Sequence, residues 1–249
     1  MDYKIVICSH KRIEILQKKT LQTLQKYNIP KDKIFIFVAA DELIAYQQAF
    51  PTYQIRQGAL GLSANRNAAS QYFLSDEYLF WLDDDIKGFY HNQNGKTRQI
   101  SDLDSVIRQG FELANKHTAS LWGLYPVCQA RWMSDTISVG LVFCYGCAHG
   151  TINKKDIVIE KDLKEDYERC LKYYARDNVV IRLNWVAPYQ SYRKGSGGLS
   201  EVRTLAKEKE ECLALLQAYP DKVKVKFKPD GTRYDLLFYR PLCHKENRV

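Results

Sequence analysis

Tyr78-Leu79-Phe80-Trp81-Leu82-Asp83-Asp84-Asp85 is the stretch whose reading decides the fold. Five bulky apolar residues in succession read as a strand buried on both faces. The run stops on three adjacent carboxylates. Like charges crowded at the end of a buried strand are costly unless a cation or well-aimed donors offset them. Side chains at i and i+2 of an extended chain point to the same side. Two hard oxygen ligands on one side of such a turn suit Mg²⁺ or Mn²⁺ bound together with a diphosphate. A solvated turn whose aspartates cap the next segment gives the same letters.

Upstream, apolar strand runs alternate with helical stretches. Residues 4–9 form a strand, and a helix follows with Ile13, Leu16, Leu21, Leu24 and Tyr27 on one side, closed by Pro30. Residues 34–38 form a second buried strand. A short helix over 42–50 stops at Pro51, and 53–56 form a third strand. Gly58 and Gly61 mark a loop, after which Ser63 is placed to cap a helix running to about residue 74. This rhythm predicts a doubly wound, mainly parallel sheet, which binds ligands at the carboxyl ends of its strands. The loop Ser9-His10-Lys11-Arg12 and the aspartate triplet should then face one crevice.

Downstream the rhythm loosens. A polar loop is expected over 91–97, a helix over 102–116, strands over 121–125 and 137–143, a helix over 163–174 and a strand over 179–183. A Tyr-, Arg- and Gly-rich loop spans 188–198, and a helix 200–218. The strands 223–227 and 234–239 are expected to pair around Asp230-Gly231. With no repeat, low-complexity run or linker, residues 1–249 read as one domain of two lobes.

Composition narrows the class. The 249 residues are 45% hydrophobic and 27% charged, which excludes wholesale disorder. No apolar run reaches the roughly 18–20 residues of a membrane span, and the first residues lead straight into a strand. A cytoplasmic protein without a membrane anchor is expected. Seven cysteines scattered through apolar segments read as small buried hydrophobes of a reducing compartment. The net charge of +8 points to polyanionic partners: nucleotide diphosphates, nucleic acid or an acidic glycan.

Three further constellations carry chemistry. Glu165-Asp166 opens a helix, where a carboxylate at the mouth of a site can take a proton from an attacking hydroxyl, although acids also favour helix N-termini for their dipole. In the run 192–198, Arg193 and Lys194 could neutralise a leaving diphosphate, and Gly197 lets the backbone approach an anion. A basic surface loop fits the same run. Cys144-x-x-Cys147-x-His149 has zinc-like spacing, but no second close pair completes it, and buried thiols are the better reading.

Taken together, residues 4–12, Gly61-Leu62-Ser63-Ala64-Asn65-Arg66-Asn67-Ala68-Ala69 and 80–86 resemble the nucleotide-binding half of the GT-A glycosyltransferases. The wider pattern adds Lys164-Glu165-Asp166 and Gly195-Ser196-Gly197-Gly198-Leu199. It resembles the TET- and base-J-associated glycosyltransferases of phages and some eukaryotes, which put sugars on hydroxymethylated pyrimidines in DNA. The resemblance implies a GT-A fold with a nucleotide-sugar-binding half over 1–90 and an acceptor-side half over 91–249. It implies a nucleotide-sugar donor, a UDP-sugar first, and Mn²⁺ or Mg²⁺. By it, Ser9 and Arg12 contact the nucleoside side and Arg66 the donor. Asp83 lies near the ribose and the metal, and Asp85 ligates the metal, with Asp84 able to take either role. Asp166 is the base beside Glu165, and His244 is a further metal ligand. DNA is the expected acceptor; a glycan or protein acceptor, or a non-catalytic nucleotide- or DNA-binding scaffold, also fits the residues.

Overall fold

The order of strands follows from how each alternates its side chains. The structure is a computed structural model that describes residues 1–190, 204–228, 233–239 and 242–248. β1 (Tyr3–Cys8), β2 (Ile34–Val38), β3 (Gln54–Gln57) and β4 (Tyr78–Leu82) pair in parallel in the order β3-β2-β1-β4. Ile5, Ile7, Phe80 and Leu82 enter one core, and Val6, Leu79 and Trp81 the other, so both faces of the sheet are covered. That is why these strands are apolar without a break.

The second half extends the sheet. β5 (Ile86–Gln93) and β6 (Lys96–Gln99) leave it, while β7 (Leu121–Leu124), β8 (Thr136–Gly140), β9 (Ala148–Ile152) and β10 (Val180–Leu183) join it. With β11 (Val186–Gln190), β12 (Val223–Phe227), β13 (Tyr234–Phe238) and β14 (Cys243–Asn247) added, the main sheet runs β14-β8-β10-β7-β9-β4-β1-β2-β3. Only β8 and β9 run against the others. β11, β5 and β6 form a small antiparallel sheet, and β12 pairs with β13.

Helices cover the faces. α1 (Ile13–Leu16) passes through a π turn (Gln17–Leu21) into α2 (Gln22–Lys26), and α3 (Leu43–Ala49) follows β2. α4 (Leu62–Tyr72) packs on β1 and β2, and α5 (Leu103–Lys116) on β7, β9 and β10. α6 (Glu165–Asp177) lies against β10, and α7 (Leu205–Ala218) against the β12–β13 hairpin. No helix among the described residues is long and apolar enough to cross a membrane.

Several local expectations are corrected. The segment 91–97 is not a loop: Asn94 (φ 52°) and Gly95 (φ 77°) form the turn of the β5–β6 hairpin, the Asn-Gly pair supplying two left-handed residues. Ser63 does not cap α4. Gly61, at φ 96°, precedes the first turn, and Ser63 lies inside it, donating its N–H to Asp162 Oδ1 (3.1 Å) and its hydroxyl to the Lys161 carbonyl (2.6 Å). The strand expected over 137–143 ends at Gly140 (φ 122°), where the Leu141 N–H turns to the Leu242 carbonyl (2.7 Å). α7 begins at Leu205 behind a Thr204 cap; residues 200–203 and the Asp230-Gly231 turn lie outside the described residues.

Trp122 is the packing centre of the extended sheet. It stacks on Phe80 with ring centroids 5.5 Å apart and meets Phe111 edge-on at 5.3 Å. Gly110 of α5 and Gly150 of β9 close on the same indole: a Cβ on Gly110 would stand 2.5 Å from its ring, and one on Gly150 would overlap its nitrogen. Gly150→Ala should therefore overpack this core and destabilise the fold by about 1–3 kcal/mol. Denaturant unfolding measures this directly, and an unchanged midpoint would mean that Trp122 can shift without cost.

Candidate functional site

β4 delivers the triplet to the carboxyl edge of the sheet, and the neighbouring chain fixes its turn. The Asp83 N–H donates to the Cys147 carbonyl before β9 (2.9 Å). The Thr20 hydroxyl donates to the Asp83 carbonyl (2.7 Å) and accepts from the Ile86 N–H (2.9 Å), while the Thr23 hydroxyl donates to the Ile86 carbonyl (3.0 Å). Both threonines are buried, and Thr20 sits on the π turn, an irregularity often found at functional sites. Their only mark in the sequence is two Thr three residues apart on an apolar helix face.

The three carboxylates meet different surroundings. Asp84 is buried and accepts from the Ser9 hydroxyl (2.8 Å) and Arg12 Nη1 (2.9 Å). Ser9 Oγ also lies 2.9 Å from the Tyr46 hydroxyl of α3. Asp83 is half-buried and accepts from Arg66 Nη2 (2.9 Å). Burial raises the pKa of both, against the pull of Arg66 on Asp83 and of Arg12 on Asp84. Asp85 has no comparable partner among the described residues; burial, then the charge of Asp83, pushes its carboxyl up to about 6. Arg12 also lines an open cleft of about 470 Å³ with Lys11, Asp41, Glu42 and Tyr46, beside the triplet.

Arg66 joins this group to the acidic pair of the second half. Besides Asp83, its guanidinium is paired with Glu165 Oε1 and donates to the Gly146 carbonyl (3.0 Å). Arg169, one turn along α6, donates to Glu165 Oε2 (2.6 Å). Burial works against the Glu165 charge, but Arg169 and Arg66 outweigh it and hold the carboxyl below its ordinary range. Glu165 therefore has guanidinium on both oxygens. Asp166 makes no such ion pair among the described residues. It is half-buried, accepts the Tyr167 N–H at Oδ1 (2.9 Å), and is pushed up to about 7 by burial and then by the adjacent Glu165 charge. Gly146 is a second position the sequence reading missed: a Cβ there would overlap Glu165 Oε1.

Other expected residues are not gathered here. His244 lies on β14 opposite Val139 of β8, and four strands stand between β14 and β4. At about 4.8 Å per strand that is roughly 24 Å, and its ring nitrogen instead meets Glu246 (3.0 Å). The proposed ligation by His244 is thereby withdrawn. Cys144 and Cys147 are buried free thiols, and buried His149 stacks on Trp81 with rings 4° from parallel and is held neutral by burial. No group of three or more His, Cys, Asp or Glu side chains among the described residues forms a ready metal cage. Arg193, Lys194 and Gly197 lie outside the described residues.

Residues 3–198 match the family described as TET-Associated Glycosyltransferase. No curated protein sequence matches the chain. Among solved structures, glucosyl-3-phosphoglycerate synthase from Mycobacterium tuberculosis, described in complex with Mn²⁺, UDP-glucose and phosphoglyceric acid, is similar with a TM-score of 0.54 and 9% identity. That match covers 97% of this chain and 88% of the other. S. aureus TarS 1-349 (TM-score 0.49, 14% identity) covers 76% of this chain. The mannosyltransferase PcManGT from Pyrobaculum calidifontis, described with GDP-Man and Mn²⁺ (0.47, 10%), covers 72%. The chain spans 60% and 53% of the length of these last two. The family match runs over most of the chain and the fold likeness over nearly all of it, and the chain accordingly belongs to the TET-associated glycosyltransferase family, with a GT-A fold.

Proposed function

We propose that the chain transfers a sugar from a nucleotide-sugar donor, bound with a divalent cation at the triplet, to a hydroxyl of a 5-hydroxymethylpyrimidine in DNA. The observation that carries the transfer reading is the Arg66 link, which joins Asp83 at the end of β4 to Glu165, the residue beside Asp166 at the start of α6. Ser9, Arg12 and Arg66 would receive the donor, with Asp84 orienting Arg12. The acceptor half of the reading is supported by the family described as TET-associated and by the basic balance of the chain.

The acids fit a hard cation. The charge of Asp83 raises the proton affinity of Asp85, so a divalent ion between them would relieve a repulsion already present. Two carboxylates with diphosphate oxygens and water are a usual Mg²⁺ or Mn²⁺ set. The Mycobacterium tuberculosis neighbour, described with Mn²⁺ and UDP-glucose, supports the same pairing. When bound, the ion would offset the charge on the departing diphosphate.

The chain's own groups handle the proton. Asp166 accepts the hydroxyl proton as the acceptor oxygen bonds to the anomeric carbon and the bond to the diphosphate breaks. A base with a pKa near 7 is well matched to this step at neutral pH. Arg66 and Arg169 fix the first turn of α6 through Glu165, which sets where Asp166 stands.

Binding, rate, pH profile and acceptor each test these assignments. Asp85→Ala should abolish Mn²⁺-dependent binding of nucleotide sugar by calorimetry while leaving the unfolding midpoint unchanged, and unaltered affinity would remove the metal assignment. Asp166→Asn should keep donor affinity and slow transfer by on the order of 10²–10⁴. In the wild type the transfer rate should climb as pH passes about 7, because the base must be deprotonated. Glu165→Gln removes a charge that raises Asp166, so the same limb should move to lower pH, and a limb that stays fixed assigns the titration elsewhere. Diphosphate release with DNA should require 5-hydroxymethylpyrimidine, since an unmodified duplex offers no comparable nucleophile. Equal release onto a simple sugar acceptor would favour a glycan-modifying enzyme.

A further inference from the structure

Away from the donor crevice, the β5–β6 hairpin is set apart by its charge. Residues 1–190 contain 24 Lys and Arg against 21 Asp and Glu. Residues 86–100 hold three of those cations, Lys87, Lys96 and Arg98, and no acid. All three are exposed. No ion pair with a described residue involves them, whereas Arg108 and Arg248 are paired with Asp104 and Asp135.

A second element adds to the arm. The 3-10 turn Ala130–Trp132 is tied to it by the Ala130 N–H donating to Thr97 Oγ1 (3.0 Å) and by Asn92 Nδ2 donating to the Ala130 carbonyl (3.0 Å). This turn exposes Arg131 and Trp132, the guanidinium 5.1 Å from the ring. On the other side Tyr189 of β11 is exposed, with the Lys87 ammonium 6.0 Å from its ring centroid. Trp132 is 54% exposed and Tyr189, which also meets Tyr90 edge-on at 5.8 Å, 47%. Cations interleaved with partly exposed aromatic rings are a pattern by which proteins hold nucleic acid, phosphates on the cations and bases on the rings.

The geometry suits a strand of DNA leading to the site. The arm begins at Ile86, directly after Asp85, and β5 runs seven residues further to Gln93. At about 3.4 Å per residue it reaches roughly 24 Å, the axial rise of about seven base pairs. Lysines also blunt exposed sheet edges, and β6 is an edge strand. That explanation leaves Lys87, on the central strand β5, and exposed Trp132 without a role.

We propose that this arm is the surface that holds the DNA acceptor, with Lys87, Lys96, Arg98 and Arg131 on phosphates and Trp132 and Tyr189 against bases. The proposal rests on the DNA-acceptor reading and adds to it the part of the chain that carries the DNA. Fluorescence anisotropy with a labelled 20-base-pair duplex and its single strand, titrated over a range of salt, tests it. For Lys96→Gln/Arg98→Gln the slope of log K against log salt should fall by about two, with binding weakened about tenfold or more at low salt. Trp132→Ala should weaken single-strand binding about 5- to 150-fold and leave the salt slope as in the wild type. The substituted side chains are exposed, and a thermal unfolding midpoint equal to the wild type's establishes that the fold is intact. Wild-type DNA binding with variants that keep both slope and affinity overturns the arm and leaves the DNA reading standing. A wild type with no affinity for DNA overturns that reading and the arm with it.

Discussion

Arg66 is buried, and its guanidinium reaches two carboxylates that are 82 residues apart in the chain, Asp83 at the end of β4 and Glu165 at the start of α6. Taking charges out of water costs several kcal/mol per ion, and removing one partner of a buried pair leaves the other uncompensated. Loss of any one member therefore destabilises the group: Arg66 and Arg169 on one side, Glu165 and Asp83 on the other. Other features follow from this requirement. Gly146 has no side chain because Glu165 occupies the space, its carbonyl takes a further donor bond from Arg66, and the loop before β9 lies close enough for Cys147 to accept the Asp83 N–H.

The triplet is differentiated by the same logic. Three adjacent carboxylates cannot share one environment, and here each has its own. Asp84 turns back to the β1 loop and is met by Ser9 and Arg12; Asp83 turns across the sheet to Arg66; Asp85 is buried with its pKa raised. Among the described residues, two of the charges are thus met by guanidinium, and the third is not. Glu165 and Asp166 repeat the division on a smaller scale. One acid is neutralised by two guanidiniums, and its charge then helps hold a proton on the other.

What could be read in the sequence was what depends on near neighbours. β1 to β4 are apolar because both faces are covered, so their runs and the helices between them were visible in hydrophobic periodicity alone. The triplet was visible because unpaired like charges after a buried strand have few explanations. The strands β9 and β14 were not, since His149 and Gly150, or Cys243 and Glu246, become strand only through pairing with β4, β7 and β8. The β5–β6 hairpin was missed despite its Asn-Gly turn, because polar, wholly exposed β6 lacks the alternation by which strands are recognised. His244 illustrates the opposite error. A histidine near the end of the chain was assigned to the metal by resemblance, and only the strand order set it on the far edge of the sheet.

The distribution of charge bears on the partner independently of any resemblance. Residues 1–85, which contain the triplet and the β1 loop, have ten Lys and Arg and ten Asp and Glu. Taken whole, this half offers an anionic nucleotide no surplus of positive charge, although residues 11–33 hold seven Lys and Arg against two Asp and Glu. The β5–β6 hairpin, which leaves the sheet directly after Asp85, holds three exposed cations and no acid. On the proposed reading a phosphate backbone would meet those charges, whereas a simple sugar acceptor would carry none to meet them.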